Sequence, residues 1–384
     1  MGRFSLRRSE DGRLKAAQII GNASLGGVVS CILNYYRHAD TSRWVFDFFT
    51  YAPSPLDAQL HEIDPAARVF SIPRLDTQFY RAVPALRVLL AEGGYAVAHS
   101  HMTTLSAFAL FAAKRAGVPV RICHAHSTFD KNSDHAAVKA LLRPFAAKNA
   151  TMRLACGKLA AQNLYRNKAD QAILLPNAID LDRFSPADQA ERDALRAQLG
   201  LQGTIFLFVG RFVYQKNLAF LLDAFARARI SMPSTLLLVG DGQDKADLIR
   251  QARALAIENA VRFVPPCDPL PYYRAADVFV LPSRYEGMPV VAAEAQATGL
   301  PCLFSDAVTR EADICGEAEF LPLNVARWAD AMQKRRPRLQ ACTQKLRDAG
   351  YDISLQGHLL CDLYESALRE KGFGIPSECD PSLV

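Results

Sequence analysis

The sequence predicts an α/β protein of two domains, each a parallel sheet with helices packed on its faces. Three observations lead there. At 384 residues the chain exceeds what one hydrophobic core grows to comfortably. Short β-branched or aromatic runs alternate with helical patterns about every thirty residues, the signature of βαβ units. The alternation occurs twice, on either side of a Pro- and Asn-punctuated stretch, Leu175-Pro176-Asn177-Ala178-Ile179-Asp180 followed by Arg183-Phe184-Ser185-Pro186, where a hinge is expected.

In the first half, strands are read near Leu14–Ile20, Val45–Phe49, Arg68–Ser71, Tyr95–Ser100, Val120–His124 and Thr151–Ala155, with helices such as Gly27–Tyr36 and Thr103–Ala116. In the second, strands fall near Thr204–Val209, Thr235–Val239, Val261–Val264, Val278–Leu281 and Pro301–Phe304, with helices over Asn217–Ala228, Asp244–Ala256, Pro269–Ala275 and Pro289–Thr298. The domains are residues 1–180 and 181–352, with a helix over about 353–372 returning to the first and a loose tail over 373–384. Open α/β sheets bind ligands outside the carboxyl ends of their strands, so two such domains facing a central cleft suit a two-substrate transfer.

Composition narrows the class. Half of the residues are hydrophobic and 22% are charged, as in a soluble globular protein. Met1 to Gly12 has no apolar stretch to serve as a secretory signal, and the apolar run Leu105–Ala113 ends at Lys114-Arg115, well short of a membrane span of roughly 18 residues. A cytoplasmic protein is expected. Nine cysteines, with no Cys-x-x-Cys pair and several within apolar runs, read as reduced core thiols. A formal charge of +6 favours anionic partners, but dispersed basic residues without a stacking motif argue against nucleic acid.

The second half carries the densest chemistry. Strand Thr204–Val209 runs into Gly210-Arg211, then Lys216-Asn217 and a helix for which Asn217 is the expected N-cap. An arginine at a strand's carboxyl end and a lysine beside a helix N-terminus suit a diphosphate: Arg grips oxygens with parallel hydrogen bonds and Lys adds a point charge. A surface Arg and a capping Lys are the plainer reading. Strand Val278–Leu281 leads to Pro282-Ser283-Arg284-Tyr285-Glu286-Gly287-Met288-Pro289 and another helix. Glu286 in that loop and Glu294 about one turn into the helix offer carboxylates to sugar hydroxyls; alone, each reads as a solvated or dipole-capping residue. Gly240-Asp241-Gly242 also follows a strand, but Lys245 stands where a dinucleotide fingerprint has its third glycine. A tight turn explains it equally well.

In order and spacing, Gly210-Arg211 with Lys216-Asn217, Gly240-Asp241-Gly242, Ser283-x-x-Glu286-Gly287-x-Pro289 and Glu294-Ala295 resemble the GT-B retaining glycosyltransferases of family 4, across almost the whole chain. His99-Ser100-His101, Ala116 to Arg121, Pro176 to Asp180 and Gly299 to Cys302 are similar to the bacterial exopolysaccharide and capsule subgroup. The resemblance implies two Rossmann-like domains, the first binding the acceptor and the second the donor. It implies donor binding by Arg211 and Lys216 at the diphosphate, Glu294 at the ribose, Glu286 at the transferred sugar, and Gly287, Met288, Pro289 and Val290 through backbone N–H groups. The family works without metal or other cofactor, the nucleotide sugar being a co-substrate; no Asp-x-Asp pair stands here, and no metal site is expected.

In the first half, Gly26-Gly27 opens a helix after the first strand; the resemblance places such a loop beside donor phosphates and acceptor, though a simple turn is the plainer reading. His126, just past strand Val120–His124, is similar in placement to the family histidine at the donor sugar's reacting carbon, with His124 as rival because alternate residues share a strand face. His99 and His101 read as satisfied core or rim histidines. Across Lys131 to Lys148, His135, Lys139 and Arg143 lie opposite Val138, Leu141, Leu142 and Phe145, either an ordinary solvated helix or a basic amphipathic one resting on an anionic membrane. The expected function is transfer from a nucleotide sugar, UDP-linked, to a lipid-linked saccharide at the inner face of the membrane. A UDP-sugar epimerase of the same architecture and a non-catalytic nucleotide-sugar-binding protein are the alternatives.

Overall fold

Apolar runs too short for helices, and rich in Val, Ile, Leu and Phe, form the strands of two wholly parallel sheets. The computed structural model describes residues 6–21, 26–51, 56–126, 136–339 and 342–374. The chain divides into two units: Met1–Ala178 with Ile353–Val384, and Ile179–Asp352.

The first unit contains β1 (Leu14–Gly21), β2 (Trp44–Thr50), β3 (Val69–Ser71), β4 (Val97–Ser100), β5 (Val120–Ala125), β6 (Met152–Ala155) and β7 (Ile173–Leu174), in the order β3-β2-β1-β4-β5-β6-β7. The pleat of β1 sends Ala16 and Ile20 into one core and Ala17 and Ile19 into another on the opposite face. Helix Ile353–Glu370 closes the first of these cores with Leu360, Cys361, Tyr364 and Leu368. It passes so near helix Gly27–Arg37 that a Cβ on Gly357 would lie 2.4 Å from the His38 Cβ and carbonyl oxygen, so only glycine fits.

The second unit contains β8 (Thr204–Val209), β9 (Ser234–Val239), β10 (Val261–Val264), β11 (Val278–Leu281), β12 (Cys302–Ser305) and β13 (Glu319–Leu321), ordered β10-β9-β8-β11-β12-β13. Strand order reverses between β1 and β4 in one sheet and between β8 and β11 in the other. At such switch points the loops leaving adjacent strands diverge and leave room for a ligand.

Three expectations change. The helix expected across Lys131–Lys148 is limited to Ala136–Leu142 and a 3-10 turn at Arg143–Phe145; His135 lies outside the described residues. Strands β7 and β13, not foreseen, extend the sheet edges. Cys315 and Cys342 are paired, their Cα atoms 5.6 Å apart, rather than both reduced; separated by 27 residues in sequence, they gave no local signal.

Candidate active-site residues

In the second unit the loops after β8 and β11 interlock at the switch point. Arg284 N donates to Gln215 O (2.8 Å), and Asn217 Nδ2 donates to Pro282 O (3.3 Å). Asn217 stands at the N-cap of helix Leu218–Arg229, but its backbone is left-handed (φ 57°) and its side chain does not cap, because it is committed to the neighbouring loop. This interlock holds Lys216 Nζ 2.5 Å from Glu286 Oε1, both side chains nearly buried. Gln215 Nε2 satisfies Glu286 Oε2 at 3.2 Å. A buried ion pair with its remaining lone pairs occupied is a rigid arrangement, and removing either partner would strand the other charge.

Arg211 is exposed at the start of the same loop after β8, and its side chain makes no ion pair or hydrogen bond with the described residues. Gly240-Asp241-Gly242 buttresses this loop from behind. A Cβ on Gly240 (φ 143°) would lie 2.0 Å from Gly210 O, and one on Gly242 2.2 Å from Phe212 O. The tight-turn reading therefore accounts for both glycines through backbone contact.

Gly287, Met288 and Pro289 are buried, and Pro289 occupies the N-cap of helix Val290–Ala297, whose first N–H groups have no intrahelical acceptor. On this helix Glu294 Oε2 accepts from Tyr273 Oη at 2.8 Å. Glu294 keeps some accessible surface, yet protein atoms crowd its carboxylate. The lost hydration pushes its pKa up to about 7, against the hydrogen bond from Tyr273 and the charge of Arg183.

In the first unit the striped register of β1, β4 and β5 brings imidazoles together. Gln18 lies opposite His99, and alternation puts Gln18, His99, His101, His124 and His126 on one face, beneath Tyr364 of the C-terminal helix. The polarity of the network follows from Gln18. Its oxygen accepts from His101 Nε2 (2.9 Å), and its NH₂ donates to Tyr364 Oη (3.2 Å). A neutral imidazole has one donor and one acceptor nitrogen. His101 Nδ1 therefore accepts from His126 Nε2 (2.8 Å). On the other arm Tyr364 Oη donates to His99 Nδ1 (2.7 Å), and His99 Nε2 donates to His124 Nδ1 (3.1 Å). Tautomers assigned from these distances leave His124 with an Nε2–H donor that has no partner among the described residues, and His126 with an Nδ1 acceptor. Burial pushes every one of these rings toward the neutral form, His126 to about 4 although the Asn177 side chain acts in the opposite direction, the others well below the ordinary histidine value.

Gly26 caps helix Gly27–Arg37 with extended backbone and no side-chain hydrogen bond. Its φ of −163° is open to any residue, so any need for glycine there comes from close approach.

The family description "Glycosyltransferase Family 4" matches residues 25–183, and "Glycosyl transferases group 1" matches residues 203–335. EpsF of Bacillus subtilis (strain 168), named as a glycosyltransferase, is 32% identical over 368 residues, spanning 91% of this chain and 96% of that one. The chain belongs to glycosyltransferase family 4. An Escherichia coli relative, named UDP-Gal:alpha-D-GlcNAc-diphosphoundecaprenol alpha-1,3-galactosyltransferase, is 28% identical over 319 residues, 78% of this chain and 81% of that one. Among solved structures, Anabaena HepE in complex with UDP-glucose has a TM-score of 0.72 at 18% identity, covering 94% of this chain and 99% of that one. WaaG, a glycosyltransferase involved in lipopolysaccharide biosynthesis, has a TM-score of 0.66 at 15% identity, covering 94% and 100%. The fold of this family 4 glycosyltransferase is thus GT-B, and its activity is that of a hexosyltransferase.

Within the glycosyltransferase, Lys216 and Glu286 are in direct contact, while Glu294 is held separately by Tyr273. Sequence reasoning missed Gln215, Tyr273, Gln18 and Tyr364, which bond to the foreseen residues. Gln215 adjoins Lys216, whereas Tyr273, Gln18 and Tyr364 sit in elements that were expected but gave no local sign of their partners.

Proposed function

We propose that this glycosyltransferase moves a hexosyl or N-acetylhexosaminyl group from a UDP-sugar to a hydroxyl of a lipid-linked saccharide, with retained anomeric configuration, in exopolysaccharide, capsule or related cell-surface glycan synthesis. One observation carries the reading: Lys216, a cation suited to a diphosphate, meets Glu286, an acceptor suited to sugar hydroxyls, at a single point. In a nucleotide sugar those two groups are joined at one bond.

Residues 181–352 bind the donor and residues 1–180 the acceptor. Arg211 and Lys216 neutralise the diphosphate, a task that elsewhere falls to a metal ion, and Glu294 accepts from the ribose hydroxyls. Gly287, Met288, Pro289 and Val290 offer backbone N–H groups to the donor, while Gly26 and Gly27 lie along its phosphates. The C1–O bond to the diphosphate breaks with its electron pair leaving on UDP, the acceptor oxygen bonds to C1 on the same face, and its proton passes to a diphosphate oxygen. No protein nucleophile is needed. His126, or His124 beside it, touches the sugar at the reacting carbon. The named activity of the Escherichia coli relative, whose acceptor is a diphosphoundecaprenol-linked sugar, supports a lipid-linked acceptor and a peripheral position at the cytoplasmic face of the membrane. No helix among the described residues is long and apolar enough to cross a membrane.

A panel of nucleotide sugars tests the reading. The cognate UDP-sugar raises the melting temperature by mass action, and with a lipid-linked saccharide it yields a product whose anomeric configuration, read by NMR, matches the donor's. Isomerised donor formed without acceptor, or no stabilisation by any UDP-sugar, would sink it.

A further inference from the structure

A charged cavity lies in the first unit, at the end of the sheet opposite the histidines. It measures about 690 Å³ and is lined by Arg143, Lys148, Arg153, Arg166 and Lys168. The 3-10 turn Arg143–Phe145 and Lys148 precede β6, while Arg166 and Lys168 follow helix Lys158–Tyr165, so chain segments entering and leaving one βα unit bring these cations to the strands' amino ends.

The cluster is uncompensated. No carboxylate lines the cavity, and none of these five side chains forms a salt bridge with a described residue. The Nε atoms of Arg143 and Arg153 are buried without a hydrogen-bond partner among the described residues, and Arg153 reaches only the neutral Gln171 Oε1, through Nη1 at 3.3 Å. Desolvation disfavours the charge on Arg143, and Arg166 adds like-charge repulsion there. Among the other half-buried arginines, Arg13 pairs with Asp64 at 2.6 Å and Arg192 with Asp277 at 2.9 Å, while Arg121 and Arg338 bond to backbone carbonyls instead. Forked guanidiniums converging with ammonium groups on a roomy cavity match the tetrahedral oxygens of phosphate.

We propose that this cavity is a phosphate-binding site, separate from the donor site, that takes a phosphomonoester, phosphodiester or diphosphate group. This goes beyond the transfer reaction and does not depend on it. The phosphate belongs either to a soluble ligand or to a lipid headgroup. Exposed Val138, Leu141 and Phe145, on the segment flanking Arg143, would let a headgroup's acyl region rest beside the cavity.

The test is phenylglyoxal labelling of arginines in the full-length protein, read peptide by peptide by mass spectrometry. Inorganic pyrophosphate at ten times its dissociation constant leaves about one site in eleven free, so labelling of Arg143 and Arg166 is expected to slow about tenfold relative to sodium chloride of equal ionic strength. Equal rates in the two salts overturn the proposal. Flotation with vesicles of phosphatidylcholine, with and without phosphatidylglycerol, separates the sources. Binding to the anionic vesicles that is lost in R143Q/R166Q assigns the site to a headgroup. Protection by pyrophosphate with vesicle binding unchanged in that variant assigns it to a soluble phosphate. Labelling is read on the wild-type protein, so a poorly folded variant leaves the main test intact.

Discussion

The two units bury polar groups at equivalent places, the switch points of their sheets, with opposite chemistry. Below β1, β4 and β5 the groups are neutral imidazoles, strung between Gln18 and Tyr364 so that each ring has a defined tautomer. Between β8 and β11 they are ions, Lys216 against Glu286, with Arg211 left open to solvent. Neutral networks fix direction, since each hydrogen bond dictates the next; ion pairs fix charge. A transfer reaction needs both, charge where a diphosphate departs and orientation where the sugar is held.

The largest effects should come from removing charge. Arg211→Ala and Lys216→Met are each expected to lower kcat by about 10²- to 10³-fold, the loss found for an oxyanion-stabilising donor worth roughly 3 to 4 kcal/mol. Unchanged turnover at saturating donor would refute the role. Lys216→Met also strands Glu286 in a buried position, so its melting temperature should fall more than that of Arg211→Ala.

Next comes the response to acid, where the units should diverge. Histidines held neutral in the folded state have depressed pKa values, so the unfolded chain binds protons first. Stability they contribute is present above about 6.5 and lost as pH falls toward the folded value, about 4 for His126. That shift alone is worth roughly 3 kcal/mol. Urea unfolding across this window should show the first unit weakening, with His126→Asn flattening the slope; a wild-type slope in that variant would contradict the assignment.

Smaller is the effect of redirecting the imidazoles. Gln18→Leu removes the pin for both arms and should lower kcat about tenfold, the scale of one lost buried hydrogen bond, with donor KM little changed. Nitrogen NMR of the rings should show mixed tautomers at His124 and His126. Single tautomers persisting in the variant would show that Gln18 sets nothing.

Last is the titration of Glu294, which changes affinity rather than turnover. Its folded pKa of about 7 lies above the unfolded value, so its contribution to stability is full below about 4.5 and lost as pH rises to about 7, the reverse of the histidines. Ribose hydroxyls need the ionised carboxylate as acceptor. UDP affinity should therefore weaken by up to about tenfold per pH unit below 7, and Glu294→Gln should abolish that dependence. Calorimetry over pH 5.5 to 8, chosen to bracket that value, reads it.

Much of this was legible beforehand, for physical reasons. Strands Thr204–Val209 and Val278–Leu281 appear with the bounds read from sequence, because buried parallel strands write continuous apolar runs; Val261–Val264, an edge strand with Arg262 exposed, also keeps its bounds. Strand β7, two residues both exposed at the sheet edge, and β13, three half-buried residues, write no such run. Lys216 and Glu286 were visible as residues near strand ends, but their contact comes from a loop interlock through Gln215 and Asn217 that no local pattern encodes. Tyr364 reaches His99 across 265 residues, a contact set by helix packing alone.

Calorimetric comparison of UDP with the matching UDP-hexose in wild type, Glu286→Gln and Lys216→Met bears most directly on the claim that diphosphate and hexose meet at this ion pair. The account predicts that Glu286→Gln keeps its affinity for UDP and loses the increment contributed by the hexose, whereas Lys216→Met weakens both ligands. An undiminished hexose increment in Glu286→Gln would contradict it.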